Sequence, residues 1–199
     1  MKKSSTTRIT VPAALSAIIV IVSFLPLRTL GLEITFSMVP VAVGAIVYGP
    51  AAGAILGTVF GMVSFLQCLG YSVFGAALLA INPLYTFLTC VPPRILAGLL
   101  TGLIFKSLKE RANLNFSVIL CSLSAALFNT LFFTGTLIIC FYNTDYIQNF
   151  AKQLGTQNAA VFAVLFVGLN GLIEILSGCI LAAPVSRALL KTLKKEHMR

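Results

Sequence analysis

Acid–base chemistry needs positioned titratable groups, and this sequence offers few. Its acids are Glu33, Glu110, Asp145, Glu174 and Glu196, and its single histidine, His197, lies two residues from the end in a basic tail. No HExxH, paired-aspartate, G-x-S-x-G or Walker A pattern occurs, so neither metal-assisted nor serine hydrolysis nor ATP hydrolysis is expected of this chain. Glu174 alone falls inside a long apolar run, GLNGLIEIL at 168–176, where Asn170 sits four residues before it. That spacing puts the two side chains on one helix face. A carboxylate at bilayer depth is costly and marks a functional site by default.

What remains is binding. The polar groups at depth, or near one face, are Gln67, Tyr71, Asn82, Tyr85, Arg94, Asn129, Thr134, Asn170 and Glu174. Each has a packing explanation beside the functional one. Asn129 and Asn170 serve as interhelical hydrogen-bond partners, Arg94 as a snorkelling anchor, and Gln67, Tyr71 and Tyr85 as interface residues. Together they say more. Arg94 follows two prolines, so its charge coincides with the positive end of a helix dipole and suits an anionic group. One cation, two amides and flanking aromatics suit a small polar molecule.

These residues must be carried by membrane helices. The chain has 199 residues, 58% hydrophobic and 10% charged, with mean hydropathy +1.00. A soluble domain carries about 25% charged residues, and one soluble core of this size cannot hide so much apolar side chain. The alternating ten-residue segments of a membrane barrel are missing, so the expected class is an all-α integral membrane protein. Five cysteines (Cys68, Cys90, Cys121, Cys140, Cys179) form no CxxC pair and read as small buried hydrophobes. A Cys68–Cys90 bridge is conceivable if both face outward. No metal site and no cofactor are expected.

Six helices are predicted in one domain, 1–199: near 11–25, retained rather than cleaved as a signal peptide, then near 37–48, 51–66, 94–106, 116–142, and 159 to beyond 187. Residues 67–93 carry Gly70, Gly75, Pro83, Pro92 and Pro93 and do not read as one clean helix. NTDYIQNFAKQLGTQN reads as a polar loop. With the N-terminus inside, 11 of the 14 Lys and Arg face the cytoplasm and only Arg28, Arg94 and Lys152 fall outside. Both termini are then cytoplasmic, with basic ends at 1–10 and 188–199, and the net charge of +9 is a topology signal rather than a nucleic-acid footprint. Small residues recur every four positions at Gly53, Gly57 and Gly61, at Gly98 and Gly102, and at Ala13 and Ala17. Such stripes allow close helix approach, either within the bundle or against another membrane protein. Ala13 and Ala17 are the best docking candidates.

ITFSMVPVAVGAIVYGPAAGAILGTVFGMVSF (34–65), VPPRILAGLLTGLIFK (91–106), LFNTLFFTGTL (127–137) and GLNGLIEIL resemble the substrate-binding S components of energy-coupling factor (ECF) vitamin transporters, over nearly the whole chain. NTLFFTGTL and GLNGLIE resemble the pantothenate-like branch. The resemblance implies a multi-pass cell-membrane protein that binds one vitamin near the outer face. It implies partners too: a membrane-embedded T subunit and two cytoplasmic ATPases, with delivery by toppling in the bilayer. Ala13 and Ala17 match the family's docking pattern for the T subunit, Asn129 and Asn170 its vitamin-contacting asparagines, and Arg94 the arginine that opens its fourth helix. No tryptophan is present, although several members stack an aromatic vitamin on one, which favours pantothenate over thiamine. Riboflavin or another vitamin is the alternative ligand. A stand-alone proton-coupled transporter, or a structural membrane protein, is the alternative class. Three roles stay open for Glu174: a ligand contact, a counter-charge for Arg94 in the empty state, or a protonated structural group.

Overall fold

In a computed structural model, residues 5–25, 28–29, 32–33 and 36–196 are described, with the backbone alone for 5–9, 28–29, 32–33, 167, 169, 170 and 193–196. The helices are α1 (Ser5–Ser23), α2 (Met38–Tyr48), α3 (Pro50–Gln67), α4 (Val73–Ile81), α5 (Pro83–Cys90), α6 (Pro92–Leu108), α7 (Leu114–Phe141), α8 (Asp145–Gln153), α9 (Ala159–Ser177) and α10 (Ala183–Glu196). Two two-residue strands, Arg28–Thr29 and Leu32–Glu33, form an antiparallel hairpin between α1 and α2. Among the described residues, four stretches are long and apolar enough to cross a membrane: Pro50–Gln67, Pro83–Leu108, Leu114–Phe141 and Gly171–Thr192. Thr10–Ser23 and Met38–Tyr48 are shorter apolar helices.

The six predicted runs are all present as helix, and 67–93 is, as its glycines and prolines suggest, not one helix; two details differ. The 67–93 stretch is a turn followed by two short helices. Ser72 accepts a hydrogen bond from Gly75 N to start α4, and Asn82 Oδ1 accepts from Leu84 N and Tyr85 N to start α5, the usual service of a short polar side chain at a helix N-cap. The expected polar loop after Tyr142 instead contains α8. Thr144 caps it, Asp145 and Lys152 match its dipole, and Ile147 and Ala151 form the buried stripe that holds it, an i, i+4 pair diluted by polar neighbours. The sixth run is broken by a π turn at Gly178–Ala182.

The direction of the chain alternates. The Ser23 and Ser37 hydroxyls share a hydrogen bond of 2.7 Å, and Gln67 Nε2 donates to the Ser23 carbonyl. One end of the bundle therefore holds the end of α1, the start of α2 and the end of α3. Gly49, with φ +93°, turns the chain sharply between α2 and α3 at the other end, a conformation that suits glycine. α2 is buried on almost every side. Its 11 residues rise only about 16 Å, so it is a central strut shorter than the bilayer core.

The α3–α6 crossing is built on glycine. A Cβ at Gly53 would sit 2.3 Å from the Gly98 carbonyl oxygen, and one at Gly98 would sit 2.1 Å from that of Gly53. Gly57 faces the Arg94 carbonyl at 2.3 Å, and Gly102 faces Pro50 Cα at 2.5 Å. Both glycine stripes are thus consumed inside the bundle, and the α6 backbone is seated directly on α3.

Candidate binding site

Arg94 lies in the first turn of α6, behind Pro92 and Pro93. Proline suits this position because its missing N–H would have no intrahelical partner. The guanidinium is not at an interface: Arg94 is only 7% exposed. Its Nη1 donates to the Thr89 carbonyl at 2.7 Å, and the charge lies 4.7 Å from the Phe133 ring centroid and 5.4 Å from that of Phe60. Two aromatic faces thus supply the attraction that water would otherwise give. Snorkelling is excluded. Arg94 Nε is buried with no hydrogen-bond partner.

Asn129 of α7 faces α9 from inside the bundle, 4% exposed. Its Nδ2 donates to Glu174 Oε2 at 3.1 Å. A carboxylate oxygen only accepts, so the amide orientation follows: Nδ2 points at Glu174 and Oδ1 points away. That oxygen, too, is buried without a partner. Phe133, which packs on the Arg94 guanidinium, lies one turn after Asn129 on α7. Arg94, Asn129 and Glu174, from three helices that span 80 residues of sequence, therefore share one polar locus, with Arg94 and Asn129 buried and Glu174 half-buried. It presents an unused donor (Nε) and an unused acceptor (Oδ1). Buried polar atoms are seldom left unpaired in native proteins, and Thr134 Oγ1, further along α7, is another.

Asn170 lies on α9 one turn before Glu174, and its side chain is outside the described set. The other candidates are dispersed. Gln67 is buried and ties α3 to α1 through Ser23, and Asn82 is spent on the α5 cap. Tyr71 is 56% exposed, edge-on to Phe24, and Tyr85 is 41% exposed, edge-on to Phe141. Phe60, Thr89 and Phe133 were missed. Phe133 was within reach of sequence reasoning, since it follows Asn129 by four on one helix, but nothing local singles out Phe60 or Thr89.

The surroundings are uneven. Toward the π turn, Met38, Ala42, Ser122, Ala126 and Gly178 close around Glu174 and leave no room for a water molecule. On the flank, α7 and α9 part to leave a groove of about 550 Å³, lined by Thr130, Thr134, Gly135, Gly168, Gly171 and Ile175 among others. Phe133 also packs against an aromatic cluster from α4, α8 and α9, in which Phe74, Tyr146, Phe150, Phe162 and Phe166 are linked by ring contacts.

Comparison with known proteins decides the family. The model of the ECF transporter substrate-specific component matches residues 7–186. This chain belongs to that family. A curated relative, the pantothenate transporter PanT of Leuconostoc mesenteroides subsp. mesenteroides, is 26% identical over 162 residues, 80% of this chain and 76% of the relative. The ECF substrate-specific component is thus a vitamin-binding subunit of a membrane transporter and not an enzyme. On its first helix Ala13 and Ala17 are both exposed, beside the exposed Ile18 and Ile21. This face is not consumed by the bundle, unlike the glycines of α3 and α6.

Proposed function

We propose that the chain binds pantothenate at the Arg94–Asn129–Glu174 locus, as the substrate-specific subunit of an importer in the cell membrane. The observation that carries this reading is the pair of unpartnered buried atoms, Arg94 Nε and Asn129 Oδ1. Pantothenate carries a carboxylate, an amide and two hydroxyls. The carboxylate suits a buried guanidinium, where a charge-assisted hydrogen bond is strong. The hydroxyl and amide donors suit Asn129 Oδ1 and the Glu174 carboxylate. The 26% identical relative is itself named for pantothenate transport. Asn170 is proposed as a further contact, on the face it shares with Glu174. Tyr71 and Tyr85 are proposed at the rim, Gln67 is proposed to act through the α3–α1 tie it makes, and Asn82 serves the α5 cap.

The locus is proposed to face outward and both termini to face the cytoplasm. In support, five described basic residues, Lys106, Lys109, Arg111, Arg187 and Lys191, lie at or beyond the α6–α7 turn and on α10, where Arg187 donates to the Asn115 carbonyl, while Lys152 lies on α8 after the far end of α7. The end that holds the five is opposite Arg94, as the positive-inside rule requires. The domain is taken as one unit over 1–199 with six spans. Ala13 and Ala17 are proposed to dock the T subunit, which couples the chain to two ATPases and lets it topple inward. No nucleic acid is involved.

The purified chain is denatured, and any small molecule released near one equivalent is identified by mass spectrometry. It is also titrated against a vitamin panel. Pantothenate in either experiment supports the assignment. Riboflavin or another vitamin keeps the family and rejects the ligand. Uptake by the chain alone, in cells lacking T subunit and ATPases, rejects the coupling.

A further inference from the structure

Cys68 ends α3 and Cys90 ends α5. They are 22 residues apart in sequence, yet their sulfurs are 3.9 Å apart. Both residues are 5% exposed, in a small apolar cluster with Val91, Phe65, Leu79, Phe87 and Ile95. Cys68 Sγ donates to the Ser64 carbonyl at 3.3 Å, which leaves Cys68 as the acceptor of the Cys90 S–H. Gly75 of α4 lies directly over the pair: a Cβ there would come within 2.6 Å of Cys68 Sγ. Cys121, Cys140 and Cys179 are distributed along α7 and at the π turn and share no such partner contact among the described residues.

We infer that Cys68 and Cys90 are a thiol–disulfide site, closed by a bridge when this end of the bundle meets an oxidising environment. A disulfide needs its sulfurs at about 2.05 Å, so the gap to close is about 1.9 Å, within the swing of two side chains. The reaction is an exchange with a low-molecular-weight disulfide. One cysteine thiolate attacks it, forming a mixed disulfide and expelling one thiolate. The second cysteine then displaces the other. Two protein thiols become one S–S bond, and the oxidant is reduced to two thiols. The bridge closes a covalent loop over 68–90, which contains α4 and α5. It joins the end of α3 to the residue next to Thr89, whose carbonyl holds Arg94. A bridge there narrows the freedom of the α4–α5 segment, which supplies the Thr89 carbonyl to Arg94 and Phe74 to the cluster beside Phe133. The inference rests on the proposed outward orientation only for the source of the oxidant, because disulfides persist outside the cytosol.

The test uses the full chain in detergent, freed of reductant and incubated with oxidised glutathione. Remaining thiols are alkylated in denaturant, and peptides are mapped without reduction. The expected product is a Cys68–Cys90 linked peptide, lighter by two hydrogen atoms than its reduced parts, with Cys121, Cys140 and Cys179 alkylated. The thermal midpoint is expected to rise on the order of 5–10 °C, and dithiothreitol reverses the rise. Cys68→Ser and Cys90→Ser each abolish the rise, and Cys121→Ser does not. Repeating the incubation just below the thermal midpoint, where α4 opens, removes burial as the reason for a negative result. Full alkylation of both cysteines under both conditions overturns the inference, as does a glutathione adduct that never resolves to the linked peptide. Orientation is read separately, by labelling Lys152→Cys in intact cells with a membrane-impermeant maleimide. Labelling without a bridge rejects only the bridge, and a bridge without labelling rejects only the orientation.

Discussion

Adding one methyl group at Gly57 is expected to disturb the binding locus without altering the side chain of any candidate ligand contact. A Cβ at Gly57 meets the Arg94 carbonyl oxygen at 2.3 Å and its carbon at 2.8 Å, where ordinary contact begins at 3.4 Å. The α6 backbone must therefore retreat by about 1.1 Å (3.4 minus 2.3) at the residue that carries the guanidinium. Backbone cannot rotate away as a side chain does, so the cost falls in the overpacking range of about 1–3 kcal/mol. Replacing glycine in a helix also contributes up to about 1 kcal/mol the other way. Gly135→Ala supplies the control, because that position is helical and has nothing within 4 Å of an added Cβ. The difference between the two variants isolates the crowding, about 1–3 kcal/mol, or on the order of 2–12 °C in thermal midpoint for a chain of this size. The retreat also misaligns Arg94, whose charged hydrogen bond is worth about 1.5–3 kcal/mol. Pantothenate affinity is expected to fall about ten- to a hundredfold in Gly57→Ala and to hold in Gly135→Ala. The assays are thermal unfolding in detergent and isothermal titration on the same preparations. Equal midpoints and equal affinities for the two variants would refute the glycine seating of α6.

The remaining expectations concern the locus and its surroundings. Arg94→Lys keeps the charge but loses the planar cation between Phe60 and Phe133, so affinity should drop about tenfold or more; unchanged titration curves would remove Arg94 from the site. Glu174→Gln separates the open roles of that residue. A loss of affinity supports a charge-based role, and an unchanged value leaves only the structural one, because the Gln carbonyl oxygen still accepts from Asn129 Nδ2. Asn82→Ala should lower the thermal midpoint by about 2–4 °C through the lost α5 cap and leave affinity intact; a selective affinity loss would make Asn82 a contact instead. Ala13→Leu combined with Ala17→Leu should leave binding intact and abolish uptake in cells that hold the complete transporter. Normal uptake would clear α1 of docking.

Much of this protein was legible in its residues because membrane helices report themselves locally. The apolar runs, the proline starts at Pro50 and at Pro92–Pro93, and the basic residues flanking the runs need no tertiary knowledge. The helical face shared by Asn170 and Glu174 follows from spacing alone. α8 escaped because its apolar stripe is Ile147 and Ala151 amid polar residues, a signal that a loop of the same composition also gives. Asn82 read as a candidate contact because a polar residue between apolar runs looks the same whether it caps a helix or meets a ligand.

By itself, the sequence determined the membrane class, the places where helices run and the family that the motifs resemble, since hydropathy, proline and spacing act within one segment. Only the tertiary structure decided which small-residue stripes are consumed and which are free. Gly53, Gly57, Gly98 and Gly102 meet backbone across a crossing, while Ala13 and Ala17 face outward. It also decided that Arg94 is sheathed by Phe60 and Phe133 rather than snorkelling, that Asn129 turns its amide nitrogen to Glu174, and that Cys68 meets Cys90. Each of these is a contact between helices far apart in the chain. Its geometry depends on how closely two backbones approach, which no single segment encodes.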